Sequence, residues 1–206
     1  MWNSFLQALD IVALINLVAV FPIPFFWLLV HPAIGFWRQY GRGTYWIALP
    51  VWGLLGALLV IERHWILAGR ITRSAWTWTL GVGLFLLAMW LERERRRDFG
   101  LRLLIGLPEL KPGHPASAVI RSGTYRYLRH PRYVVCMITL LAFAALTGSA
   151  GYFLLAILSI LLYQIVAPIE ERELRVRYGK AYEDYAREVP RFVPRCWRKS
   201  KPQIPS

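Results

Sequence analysis

The sequence predicts an all-α integral membrane protein with about five transmembrane helices, a C-terminal helical hairpin and a cytosolic amphipathic helix. Three observations carry that prediction. The 206-residue chain is 56% apolar with a mean hydropathy of +0.38, too apolar for a soluble domain of its size. Five apolar runs approach the roughly 20 residues that a helix needs to cross the hydrocarbon layer. The 25 Lys and Arg residues are unequally shared among the segments that join those runs.

The first run, Leu9 to Val30, contains Pro22 and Pro24, which kink or interrupt a helix. No Lys or Arg precedes it and Asp10 lies within it, so it is expected to remain as a span rather than act as a cleavable signal. Tyr45 to Ile61 and Trp76 to Leu91 follow, with Trp and Tyr near their ends at headgroup level. Tyr133 to Leu146 and Tyr152 to Ala167 are short for spans. They tilt, thin the bilayer or form a re-entrant hairpin about Thr147-Gly148-Ser149-Ala150-Gly151, and each geometry returns both ends to one side. After Ala167, Pro168 suits a helix break or first turn, with Glu170, Glu171 and Glu173 placed where acids favour a helix N-terminus. Leu174, Tyr178, Tyr182 and Tyr185 recur at helical spacing on one face. Gly179 ends or bends that helix, and Pro190 and Pro194 stop it.

Two regions follow from this reading: residues 1–91 with three spans, and residues 92–206 with a cytosolic loop, the hairpin 133–167, a C-terminal helix and a tail. The loop holds Pro108, Pro112, Gly113 and Pro115, so it is irregular backbone. With five spans and the N-terminus outside, 22 of the 25 cations fall on the cytosolic side, and only Arg63, Arg70 and Arg73 fall outside. The positive-inside rule accounts for such a split, and anionic membrane lipids are the partners of a cationic surface. The net charge of +13 therefore needs no nucleic acid, and no stacking module accompanies it. Cys136 and Cys196 give neither a disulfide framework nor a thiolate metal site, and His31, His64, His114 and His130 fit no ligand spacing. No metal is expected.

Chemistry concentrates in two polar clusters flanking the hairpin. Gly123 to Tyr133 brings cations, an imidazole and three phenol rings against an apolar run, and Glu170-Glu171-Arg172-Glu173 follows the next run. The bland alternative makes His130-Pro131 a helix start, Arg126, Arg129 and Arg132 headgroup anchors, and Glu170 and Glu171 capping acids. Brought together, the clusters instead suit a zwitterionic, cationic cofactor. S-adenosylmethionine has a carboxylate needing donors, an ammonium and ribose hydroxyls needing acceptors, and a sulfonium favoured by π faces.

The pattern Gly123-x-Tyr125-x-x-x-Arg129-His130-Pro131-x-Tyr133, followed by Glu170-Glu171-x-x-Leu174-x-x-x-Tyr178-Gly179-x-x-Tyr182-x-x-Tyr185 and Val189-Pro190-Arg191-x-x-Pro194, resembles the isoprenylcysteine carboxyl methyltransferase family, related to membrane phospholipid N-methyltransferases. It covers about Pro108 to Pro194. The resemblance implies a membrane methyltransferase that holds S-adenosylmethionine on the cytosolic side and admits a lipophilic or small membrane-soluble acceptor laterally. It implies cofactor contacts from Ser117, Ala118, Val119 and Ile120, then Tyr125, His130, Pro131, Arg132, Tyr133 and Glu170, with Arg129 and Glu171 as supporting or catalytic residues. Thr124, Val135 and Ser117 stand where the family often has Pro, Gly and His. Val166 replaces the Arg with which the prenylcysteine branch engages its substrate carboxylate. A nicotinamide-dependent membrane reductase of the steroid 5-alpha-reductase type and a non-catalytic membrane scaffold are the competing readings.

Overall fold

The structure is a computed structural model that describes residues 2–41, 43–69, 71, 74–98 and 119–194. The proline pair divides the first apolar run as expected: α1 (Trp2–Val20) stops short of Pro22, and α2 (Ile23–Val30) carries Pro24 in its first turn, where a missing N–H costs nothing. A 3-10 turn over His31–Ala33 leads into α3 (Ile34–Tyr40). Gly41, at φ 50°, reverses the chain into α4 (Gly43–Ile61). The short α5 (Arg63–Ala68) precedes α6 (Ala75–Asp98), whose start is fixed by reciprocal bonds between Ser74 and Thr77, a capping-box arrangement.

The hairpin pairs α7 (Pro131–Thr147) with α8 (Ala150–Tyr178). Gly148 turns the chain at φ 62°, and the Ser149 hydroxyl caps α8 by accepting from the Tyr152 N–H at 3.2 Å, as a helix N-cap requires. Gly179 at φ 55° separates α8 from α9 (Lys180–Glu188), in keeping with the sequence. The break expected at Pro168 is absent. Pro168 lies inside α8, so this helix of 29 residues reaches about 43 Å at 1.5 Å per residue. Among the described residues, four units are long and apolar enough to cross a membrane, the first being the broken α1–α3 unit, and α7 is an apolar helix shorter than a span.

The two ends of the bundle differ. At one, the α5 region sits on the hairpin tip: Ile71 donates to Gly148 O at 2.6 Å, Ala150 donates to Gly69 O at 2.7 Å, and the Ser149 hydroxyl donates to Ile66 O. Gly151 permits this approach, since a Cβ there would lie 2.6 Å from Ile66 O. Along the bundle α6 runs against α7 with Gly81 at the crossing, where a Cβ would lie 2.7 Å from Leu146 Cγ. The opposite end gathers His31 to Arg38, the Glu92–Arg97 end of α6, residues 119–130 and the C-terminal end of α8. One apolar cluster at that end joins Trp27, Val30, Trp37, Leu128, Tyr133, Tyr163 and Val166, so packing brings α2, α3, α7 and α8 to a common point. The proline-rich loop, Ser117, Ala118, Arg42, Arg70, Arg73, His114 and Cys196 lie outside the described residues.

Candidate active site

Hairpin geometry creates the site. Counted back from the turn at Gly148, the start of α7 lies level with about residue 166 of α8, and the further turn of α8 carries Glu170 and Glu171 over His130. His130 is the residue ahead of the first turn of α7, at φ −123° and ψ 59°, outside the helical region, which a following proline disfavours. Its backbone is tied to the C-terminal segment: Arg129 N–H donates to Pro190 O at 2.9 Å and His130 N–H donates to Arg191 O at 3.2 Å.

The His130 ring lies between two carboxylates, with Nδ1 at 3.3 Å from Glu170 Oε2 and Nε2 at 3.1 Å from Glu171 Oε1. It stacks parallel on Tyr133, 5.2 Å between centroids, and Phe192 closes a second side. Burial alone pushes the imidazole pKa down, but the Glu170 and Glu171 carboxylates reverse this, and the net direction is above the usual 6.5. Only the imidazolium donates from both nitrogens; a neutral ring would turn one lone pair towards a carboxylate.

Glu171 is fully buried and heavily paired. Arg191 donates to it through Nε and Nη2, both at 2.8 Å, a bidentate fork. Arg129 Nη2 stands at 3.4 Å and Arg175 Nη2 at 3.7 Å. A buried carboxylate is tolerable only with such compensation. Glu170 is less enclosed, with its side chain 17% exposed, and its Oε2 also faces His31 Nε2 at 4.0 Å. His31 Nδ1 is 3.3 Å from Glu173 Oε2, which Arg38 also pairs.

The sequence-derived candidates divide accordingly. Arg129, His130, Tyr133, Glu170 and Glu171 come together. Pro131 is the first residue of α7, and Arg132 lies over the Trp27 ring at 5.9 Å. Tyr125 contributes its carbonyl to the Tyr185 hydroxyl at 2.7 Å, and Val119 packs on Tyr182, Tyr185 and Val189. Ile120 is half-buried beside Val119. Ser117 and Ala118 are outside the described residues. His31, Arg38 and Arg191 are the contributors that sequence reasoning gave no role. Arg191 lies in the quoted C-terminal pattern and was visible there, whereas His31 and Arg38 sit in a half without any motif.

The donor set fits S-adenosylmethionine. Arg129 Nε and the Tyr182 hydroxyl are buried without a hydrogen-bond partner, an arrangement that normally implies a missing ligand or water. Near them stand a carboxylate that is not fully enclosed, an imidazole and aromatic faces, the groups that the cofactor's ends require.

The sequence model of the phospholipid methyltransferase family matches residues 76–181, from α6 into α9. A methanethiol S-methyltransferase of a Pseudomonas species is 33% identical over 150 residues, 72% of this chain and 52% of that protein. Methanethiol S-methyltransferase 2 of Bradyrhizobium diazoefficiens is 32% identical over 77 residues, 37% of this chain and 29% of the relative. The cobalt-zinc-cadmium resistance protein CzcN of Cupriavidus metallidurans is 34% identical over 84 residues, 40% of this chain and 38% of the relative. The chain thus spans about half the length, or less, of the curated relatives it matches. No solved structure matches it.

Proposed function

We propose, given that the chain belongs to the phospholipid methyltransferase family, that this multi-pass membrane methyltransferase moves a methyl group from S-adenosylmethionine to a small membrane-soluble thiol at its cytosolic face. The observation that carries the reading is the His130 ring held between Glu170 and Glu171 inside the family-matched segment. S-adenosylmethionine supplies, when bound, an electrophilic methyl group on a sulfonium.

The chain's own residues do the rest by binding and alignment, which dominate such transfers. Glu170 accepts from an ammonium or ribose hydroxyl, while Arg129 Nε, the His130 ring and the 117–120 stretch offer donors to a carboxylate. Tyr133 and neighbouring rings present π faces to the sulfonium, with Tyr125, Pro131 and Arg132 completing the wall. Glu171, committed to Arg191 and His130, acts as a support that fixes the imidazolium, and Arg129 shares that role. No base is needed once the acceptor is a thiolate.

Two observations favour the thiol. Two relatives are methanethiol S-methyltransferases by name. Val166 is fully buried in an apolar cluster one turn before Glu170, where a carboxylate-bearing acceptor would want a cation. The inner cations argue for the cytosolic face.

The test supplies purified protein in liposomes with S-adenosylmethionine and, separately, methanethiol, longer alkanethiols, a prenylcysteine and phosphatidylethanolamine, and identifies products by mass spectrometry. Thioether formation is expected. Methylation of the amine or carboxylate alone would overturn the thiol assignment.

A further inference from the structure

We propose that His31 is a positioning residue of the methyl-donor site, contributed by the half of the chain that lies outside the family-matched segment; this rests on the cofactor reading above. The family match begins at residue 76, and His31 occupies the 3-10 turn after α2. Packing of α2 on α8 nonetheless delivers its ring to the end of α8 that carries the carboxylates.

The ring is buried, 4% exposed, and stacks on Trp27 at 4.8 Å between centroids. Its two nitrogens face different carboxylates: Nδ1 is 3.3 Å from Glu173 Oε2 and Nε2 is 4.0 Å from Glu170 Oε2. With His130 the residues form an alternating row, Glu173, His31, Glu170, His130, Glu171. Arg38 closes one end through Glu173, and Arg191 closes the other through Glu171. His31 and His130 address the same oxygen, Oε2 of Glu170.

That shared oxygen is what makes His31 more than packing. Glu170 is the more accessible carboxylate of the pair, 17% exposed against 0% for Glu171. Its direction is set jointly by a ring from the matched segment and a ring from the 3-10 turn after α2. A stack on Trp27 asks only for an aromatic plane, whereas two carboxylates facing two buried ring nitrogens call for donors on that ring. Removing the nitrogens while keeping the plane leaves Glu170 held from one side.

Two substitutions separate the roles. His31→Phe keeps the ring against Trp27 and removes both nitrogens. His31→Gln gives up the ring and keeps an amide donor. Binding of S-adenosylhomocysteine to the detergent-purified full chain is measured by calorimetry, with thermal midpoints alongside. Removing polar groups that face buried carboxylates predicts a loss of about tenfold or more in His31→Phe and recovery to within about threefold of wild type in His31→Gln. Glu173→Gln, which leaves the His31 ring untouched, serves as the second variant should His31→Phe fail to fold. It is expected to weaken binding about threefold or more in the wild-type background and to have a smaller effect in His31→Gln, whose single amide nitrogen replaces two ring nitrogens, as coupled neighbours do. Wild-type affinity in His31→Phe, a loss in His31→Gln equal to that in His31→Phe, or an effect of Glu173→Gln that is absent or fully additive would overturn the inference while leaving the cofactor reading intact. Failure of the wild type to bind S-adenosylhomocysteine would overturn both.

Discussion

His130 and Glu170 meet because two short motifs, each harmless on its own surface, are folded onto one another by a tight turn. Loss of charge at Glu170 is therefore expected to disable binding without unfolding the chain. Glu170→Gln should weaken S-adenosylhomocysteine binding by about 2 kcal/mol or more, thirtyfold upwards, with the chain still folding cooperatively. The imidazole gives a pH test. Its folded pKa is raised above 6.5 by the facing Glu170 and Glu171, against the opposing effect of burial. Its stabilisation is thus fully present below 6.5 and is lost as the pH rises through the raised value. The thermal midpoint of the wild type should fall as the pH rises above 6.5 through the raised value, and His130→Gln should lack the fall. These residues were legible because polar groups at both ends of an apolar hairpin must share a side. His31 was not, since neither spacing nor composition marks it and only the packing of α2 on α8 brings it near. Glu173 was expected as a capping acid and serves instead as partner to His31 and Arg38.

At the scale of elements, the apolar runs, the Pro22–Pro24 interruption, the Gly148 turn and the Gly179 stop could all be seen in advance, because each depends on local chain stereochemistry. Pro168 could not be judged that way. A proline within a helix forfeits one hydrogen bond and strains the preceding turn, yet packing on both sides, with Tyr163, Val166 and Ala167 buried before it and Glu171 paired after it, carries α8 through. Close helix contacts were equally hidden, since a glycine in sequence does not reveal what it faces. Gly151→Ala would place a Cβ 2.6 Å from Ile66 O and 2.8 Å from Ile66 Cα. It is expected to cost about 1–3 kcal/mol and lower the thermal midpoint by several degrees. Gly81→Ala meets chiefly the flexible Leu146 side chain, so its shift should be the smaller of the two.

Taken whole, the bundle puts the cationic segments and the site at one end and the Arg63 turn with the hairpin tip at the other. A cysteine introduced at Arg63 should react with a membrane-impermeant maleimide added outside intact cells, while one at Arg177 should react only after lysis, both in a Cys196→Ser background. The reverse pattern would place the site outside. The family match covers α6 into α9, and α2 and α3 with the turn between them supply His31, Arg38 and the Trp27 platform, so the candidate site draws on helices outside the matched segment as well. The most direct measurement is calorimetric titration of the detergent-purified protein with S-adenosylhomocysteine and with NADPH, alongside Glu170→Gln. Binding of the adenosyl compound alone, lost in the variant, is the predicted result; binding of NADPH alone, or of neither compound, would contradict the assignment of a methyl-donor site.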